Sequence, residues 1–342
     1  MQIGEWSMGG AAEAELREWY DVFIPGYIAD RPGEAVPPMQ TVVGWFSGGP
    51  AFRERRFWQA RDDVDRLVGT AWLTRSTIGS NQHRANIDGI VPAEHRRRGV
   101  GTALLTTAAR AAAAAGCTAI GLETADTAEA DGFLGRFGAR RCLAETRSIL
   151  HVADVDRADV KACAGRPADA AAYSLVSWDG HIPDEWLERY AAISSSMNDA
   201  PRGDLSVNDE LPNVDRIRGW RDAIIGRGDA PYAVCARHDP TGELAGLTEL
   251  IVHANGWPSH AWQEDTVVDP RHRGHGLGLW IKAAMLDRLL RDRPDLERIE
   301  TWNAEDNVHM LAINRRLGFR PVDTQLEWEL ETAHALRAPA PS

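Results

Sequence analysis

The segment VDPRHRGHGLGLWIK (268–282) sets Gly274, Gly276 and Gly278 two residues apart, with Arg271, His272, Arg273 and His275 among them, where an apolar run gives way to an amphipathic one. Glycines at this spacing remove the Cβ atoms that keep a ligand from the main chain, so successive N–H groups can point at one anion. A helix starting at Leu277 adds four unpaired N–H groups and a dipole that favours negative charge by about 0.3–1 kcal/mol. Arg271 and Arg273 bring positive charge. The ligand this chemistry suits is a diphosphate. Just upstream stand Glu264 and Asp265. A carboxylate can take the proton of an ammonium group, directly or through water. Strand alternation sends neighbouring side chains to opposite faces, so one of the pair is expected to face a cleft.

The chain carries this pattern twice. VPAEHRRRGVGTALL (91–105) aligns without a gap, placing Val91 under Val268, Arg96 under Arg273, Arg97 under Gly274, Gly99 under Gly276 and Gly101 under Gly278. Downstream, FLGRFGARR (133–141) echoes INRRLGFRP (313–321). A period far longer than the roughly 20–50 residues of solenoid repeats means a duplicated domain. The 342 residues also exceed the usual span of one domain, roughly 100–200 residues. The expected division is 1–155 and 156–335, with 336–342 a disordered tail and the Ala/Gly/Pro-rich segment 161–171 a linker or, in part, a short helix.

The elements that must position these residues follow from periodicity. Two β-rich segments flank the turn signal Asp239-Pro240-Thr241-Gly242 and predict a hairpin; residues 260–268 predict a third strand. Leu277, Ile281, Ala284, Leu286, Leu289 and Leu290 recur at helical spacing across 277–292, and Pro294 ends that helix. A strand over 296–303 and a helix over 304–318, closed by Gly318, complete the half. In the first half an alanine-rich run over 101–116 is the matching helix. The order of elements is that of an α/β protein.

Composition excludes several classes. No apolar run approaches the roughly 20 residues that cross a bilayer, and no export signal precedes the first strand pattern, so the expected location is the cytoplasm. A formal net charge of −12 argues against nucleic acid as a partner. Cys117, Cys142, Cys163 and Cys235 are widely spaced, and His253, His260, His272 and His275 fit no zinc template, so no disulfide framework and no metal are expected. Among diphosphate loops, the Gly-Lys-Ser/Thr of nucleotidases is missing. The G-x-G-x-x-G of dinucleotide folds does not match the G-x-G-x-G found here.

Arg271-His272-Arg273-Gly274-His275-Gly276 resembles the (Gln/Arg)-x-x-Gly-x-(Gly/Ala) pyrophosphate loop of the GNAT acetyltransferase superfamily. Asn303, Asn307 and Leu317-Gly318-Phe319 resemble that family's following strand and helix. The resemblance covers both halves and implies two tandem domains, each a mixed, mostly antiparallel sheet flanked by helices. It implies acetyl-coenzyme A bound where two central strands splay apart, and direct acetyl transfer to an amine. Cofactor-binding residues would be Val267, Val268, Arg271 to Gly278, Asn303 and Asn307. In the first half they would be Val91, Arg96, Arg97, Gly99 and Gly101. Glu264 and Asp265 would be catalytic, with N–H groups near Val268 stabilising the oxyanion.

The two copies are unequal. In the first half Glu94 stands at the loop's first position, Arg97 replaces Gly274, Glu123 and Thr127 replace Asn303 and Asn307, and Ile87 replaces Glu264. The C-terminal copy is therefore expected to be catalytic and the N-terminal one degenerate. The tyrosine that often serves as general acid in the family is Asn314 here, and Leu134 in the first half, so the acid is unassigned. Trp262 and Trp302 flank the cleft and are candidates for the acceptor pocket. The many carboxylates of 183–216 predict an acidic rim, which would attract a small cationic amine. A coenzyme A-binding module without turnover, or an acetylase of a protein lysine or N-terminus, stays open as an alternative. The oligomeric state is not encoded in any motif.

Overall fold

The structure, a computed structural model, describes residues 1–254 and 256–337. The N-terminal half begins with β1 (Gln2–Trp6), α1 (Glu13–Ala29), α2 (Met39–Ser47) and the meander β2 (Arg53–Arg61), β3 (Leu67–Ser76) and β4 (Arg84–Ile90). It continues with α3 (Val100–Ala114), β5 (Ala119–Ala125), α4 (Ala128–Leu134) and β6 (Arg140–His151). The second half starts with α5 (Arg157–Cys163), β7 (Tyr173–Asp179), α6 (Asp184–Ser194), α7 (Val214–Gly226), β8 (Ala230–His238), β9 (Leu244–Val252) and β10 (His260–Val268). It ends with α8 (Leu277–Asp292), β11 (Arg298–Ala304), α9 (Val308–Leu317), β12 (Arg320–Glu331) and α10 (Thr332–Ala335).

Each helix lies where its apolar face finds the sheet. Helix α3 presents Ala108, Ala109 and Ala112, all fully buried, so its backbone packs close against the strands. Helix α8 buries Ile281, Leu286 and Leu289 beneath β8, β9 and β10. Each such leucine contributes about 1.5–3 kcal/mol of hydrophobic stabilisation. On the opposite face α1 and α2 enclose an aromatic core of Trp19, Phe23, Phe57 and Trp72, and α6 covers Leu247 and Val267.

The two halves share one 12-stranded sheet in the order β1-β2-β3-β4-β5-β12-β6-β11-β10-β9-β8-β7. The last strand of each half is thus exchanged: β12 pairs with β5, and β6 pairs with β11. The exchanged strands also pair with each other, so neither leaves an edge open. Arg147 on β6 is fully buried at this junction and bonds Glu300 at 3.1 Å, Asp323 at 2.6 Å and Glu34 at 3.1 Å. One guanidinium thereby ties β11, β12 and the segment after α1 to the exchange.

The segment expected as a linker, 161–171, is instead packed. Its first residues finish α5, Ala170 is fully buried, and the Ala164 carbonyl accepts a bond from Trp280 Nε1 of α8 at 3.0 Å. Small side chains here permit close approach rather than freedom. Of the expected tail, Leu336 and Arg337 are tied to α10 through their N–H groups, and residues 338–342 lie outside the described residues.

Candidate active site

Strands β10 and β11 run parallel and pair only over His260–Trp262 against Arg298–Glu300. Beyond that point they diverge, and alternate N–H and C=O groups of β10 lose their partner strand. Val267 and Val268 remain paired with Leu247 and Gly246 of β9, and their side chains pack into the two cores, so they can meet a ligand only through the main chain.

A short turn, Pro270–His272, follows, and Gly274 and Gly276 then take left-handed conformations at φ 85° and 72°. A Cβ on Gly274 would meet nothing within 4 Å, so the backbone angle, not space, calls for glycine. Among the described residues, no protein group accepts a hydrogen bond from the N–H of Gly274, His275, Gly276, Leu277, Gly278 or Leu279. That run of donors at a helix start must be met by water or by an anion.

The loop's side chains behave less uniformly than expected. The His272 ring is buried and bonded to Tyr173 Oη at 2.9 Å, and the main-chain N–H of His272 is spent on the Asp269 carbonyl; His272 is thereby removed from the ligand side. Arg271 is held in a two-point pair by Asp269, which also accepts its N–H, so its charge is already balanced. His275 Nδ1 lies 2.9 Å from the Asp169 carbonyl. Arg273 donates to the Val268 carbonyl and keeps an exposed guanidinium 3.5 Å from Asp199.

On β10 the pairing with β9 shifts between Gln263 and Thr266, so Glu264 and Asp265 together oppose the single residue Glu249. This is a β-bulge. The extra residue cancels the alternation, and both carboxylates face the same cleft, contrary to the expectation that only one would. Both side chains are exposed to the water of the cleft, whose walls crowd around them. Burial first, then the charges of Asp265 and Glu249, pushes the Glu264 carboxyl up to about 8. Burial and Glu249 raise Asp265 to about 6. At neutral pH the pair therefore holds about one proton between them.

The cleft opens into a chamber of about 920 Å³ that both halves line. Trp262 and Trp302 lie on its wall, 6.3 Å apart between ring centroids, and the Trp45 ring of α2 lies tilted against Trp262 at 4.8 Å. Half of the carboxylates in the expected acidic rim are engaged in ion pairs: Asp184 with Arg218, Asp199 with Arg273, Asp209 with Arg202 and Glu210 with Arg216. Asn208 and Glu210 also bond Asn81 of the first half, so this stretch straps the halves together.

The profile of the acetyltransferase (GNAT) family matches residues 16–139 and again 194–319, which together exceed half of the chain. The chain belongs to the GNAT acetyltransferase family. It is a tandem member, and hence an acetyltransferase. A mycothiol acetyltransferase of Clavibacter sepedonicus is 29% identical over 245 residues, 70% of each chain. A solved tandem GNAT protein from the clavulanic acid biosynthesis pathway is 28% identical, covers 97% of this chain and 98% of its own, and superposes with a TM-score of 0.77. A GNAT structure from Sphaerobacter thermophilus, 11% identical over 96% of each chain with a TM-score of 0.68, shares the fold.

The tandem GNAT architecture places the remaining expected residues as follows. Asn307 caps α9 by accepting the Met310 N–H at 3.2 Å, and Asn303 Oδ1 accepts a bond from Asn314 at 2.6 Å. Both amides are thus engaged in positioning α9 beside the splay. In the first half, β4 and β5 diverge after Asn86 in the same way. The Arg97 backbone lies at φ 62° and that of Gly99 at 81°. Arg96 Nε donates to the Val91 carbonyl at 2.9 Å, as Arg273 does to Val268. Gly101 would place a Cβ 3.4 Å from the Phe133 ring. No protein acceptor among the described residues takes the N–H of Arg97 to Gly101 either.

Sequence reasoning missed Glu249. Its Oε1 accepts bonds from Tyr190 Oη at 2.5 Å and Arg221 at 3.1 Å, which fixes a negative charge opposite the bulge. A lone glutamate in the apolar strand LTELIV was the available signal.

Proposed function

We propose that the C-terminal half transfers an acetyl group from acetyl-coenzyme A to the amine of a small molecule seated in the chamber, by direct attack. The observation that carries this reading is the adjacency of two devices: a run of unpaired N–H donors from Gly274 to Leu279, and two carboxylates brought to one face by the bulge. The donors suit the diphosphate of the coenzyme, with Arg273 beside them. Bound there, acetyl-coenzyme A supplies the activated acyl group.

The chain's own residues handle the protons. An alkyl ammonium must lose a proton before it can attack, at a cost of about 4 kcal/mol at pH 7. Asp265, ionised at that pH, accepts it directly or through a chamber water. Glu264, raised to about 8, still carries a proton and can return one to the departing thiolate. That gives the general acid the tyrosine position lacks, since Asn314 is buried and bonded to Asn303. Free N–H groups of β10 at the splay are the oxyanion donors.

The two repeat units are read as residues 1–155 and 156–335 with their last strands exchanged, and the first unit as non-catalytic. The lined chamber favours a small acceptor over a protein one, and the Clavibacter relative's printed activity, on mycothiol, agrees. No helix among the described residues is long and apolar enough to cross a membrane, and we assign the reaction to the cytoplasm. The test is thiol release by the full chain from acetyl-coenzyme A across a panel of primary amines, with Asp265→Asn as control. Turnover lost in the variant is the expected result. Absence of coenzyme binding, or turnover unaffected by Asp265→Asn, would overturn the reading.

A further inference from the structure

Seven arginines line the chamber, and five of them have a carboxylate within 4 Å: Arg31 with Glu123, Arg202 with Asp209, Arg216 with Glu210, Arg221 with Glu249 and Arg227 with Asp229. Arg53 and Arg55, two residues apart on β2 and therefore on one face, have none among the described residues. Arg55 is oriented by the last carbonyls of α2, donating to Trp45 O at 2.9 Å and Phe46 O at 2.6 Å, and its guanidinium lies over the Phe46 ring. Arg53 lies over the Trp220 ring, 5.0 Å from its centroid. Aromatic faces and carbonyls hold the two forks in place without a carboxylate in direct contact.

These forks are continuous with the reaction centre. The Trp45 carbonyl that holds Arg55 belongs to the residue whose ring packs against Trp262, and Trp262 precedes Glu264 by two residues on β10. Burial first, then repulsion from Arg53 and Arg227, lowers Arg55 to about 10. Arg227 also acts on Glu264, so one charge is felt at both places. Asp88 is the nearest opposing charge, acting on both forks from beyond ion-pair distance. Burial pushes its own carboxyl up to about 7, so at neutral pH it offsets only part of two positive charges and leaves room for an added anion.

We infer that Arg53 and Arg55 form an anion-binding subsite, and that the acceptor is an amine carrying a carboxylate or phosphoryl group, held by the N-terminal half while its amine faces Glu264 and Asp265. This rests on the reading of the C-terminal half as the reaction centre. It also gives the first half a task that its degenerate loop does not. The acceptor then carries an anionic group besides the cationic amine expected from residues 183–216.

The test uses the full chain with coenzyme A present and measures, by titration calorimetry, binding of N-acetylated ω-amino acids, their amides and the matching phosphonates. The wild type is expected to prefer the acids over the amides by about tenfold or more, as two charge-assisted forks provide. The phosphonate arm decides which anion fits. In the Arg53→Met/Arg55→Met chain the preference should vanish while coenzyme A affinity is kept, and Arg55→Lys should retain part of it. A wild type indifferent to the anion, or a preference that survives the double substitution, overturns the subsite. So does a loss of coenzyme A affinity in that variant, which would assign the arginines to the coenzyme's phosphates. If coenzyme A does not bind even the wild type, the catalytic reading fails, and anion preference measured without it still decides the subsite.

Discussion

Strands β4 and β10 occupy equivalent places in the two halves, yet one amide's worth of register separates their chemistry. β4 pairs with β3 without interruption from Thr70↔Ile90 to Thr74↔Asn86, so alternation holds: Asp88 faces the chamber and Ile87, 2% exposed, points into the core under α3. In β10 the bulge opposite Glu249 breaks the alternation, and the residue aligned with Ile87 becomes a second carboxylate in the cleft. The turns that follow are left-handed at the same two positions, φ 62° at Arg97 and 81° at Gly99 against 85° at Gly274 and 72° at Gly276. What distinguishes the halves is therefore less the anion loop than the number of carboxylates presented beside it.

The strongest way to break this comparison is to treat both aspartates alike. Asp265→Asn is expected to lower kcat by about 10²–10⁴, the range for removing a general base, whereas Asp88→Asn should lower it by less than about tenfold. Equal losses, measured as thiol release, would mean that both halves catalyse. A second probe copies the C-terminal residue into the first half. Without a bulge, Ile87→Glu places a carboxyl in the core and should cost about 3 kcal/mol in denaturant unfolding. A neutral result would show that β4 can bulge too.

The pH profile sharpens the same contrast. Asp265 must be ionised to accept a proton, so kcat/KM should fall as pH drops through about 6, where burial and Glu249 place its carboxyl. Glu264 must keep its proton to donate it, so activity should fall again as pH rises through about 8. Glu264→Gln removes the alkaline limb. Asp88, pushed to about 7 by burial and Glu123, should contribute neither limb, and a profile altered by Asp88→Asn would count against its exclusion. A smaller effect is expected at the anion loop. Gly276→Ala forces a side chain into φ 72° and should weaken coenzyme A binding about tenfold by calorimetry, given a left-handed penalty of roughly 1–2 kcal/mol.

Local patterns were legible in the sequence and pairings across the fold were not. Strand 260–268 and helix 277–292 match β10 and α8 residue for residue, because each is bounded by its own turn signals and carries its own period. The helix expected over 304–318 begins only at Val308, since Asn307 serves as its cap rather than as a member. The bulge lay hidden because it depends on the register of β9, although the apolar Val267 beside Val268 already breaks a strict alternation. The strand exchange was equally invisible: β6 and β12 carry similar patterns, and nothing local states which half each will join. The ion pairs of acidic 183–216 were legible only in part: Arg202 and Arg216 lie within the stretch, whereas Arg218 and Arg273 lie beyond it in the chain.

The subtlest contrast is at Arg97, which occupies the left-handed position held by Gly274 in the other loop. A side chain there strains the backbone by roughly 1–2 kcal/mol, and a glycine would relieve it while gaining unfolded-state entropy that offsets part of the relief. Arg97→Gly should therefore raise stability by no more than about 1 kcal/mol, read as a shift in denaturant midpoint at unchanged slope. The N–H groups of Arg97 to Gly101 are already without protein partners, so coenzyme stoichiometry measured on the same variant adds a second reading. One equivalent bound before and after the change means that the other departures of the first half, Glu94 among them, and not Arg97, exclude the ligand. A second equivalent appearing only in Arg97→Gly would make that single left-handed arginine the reason the halves differ in coenzyme binding.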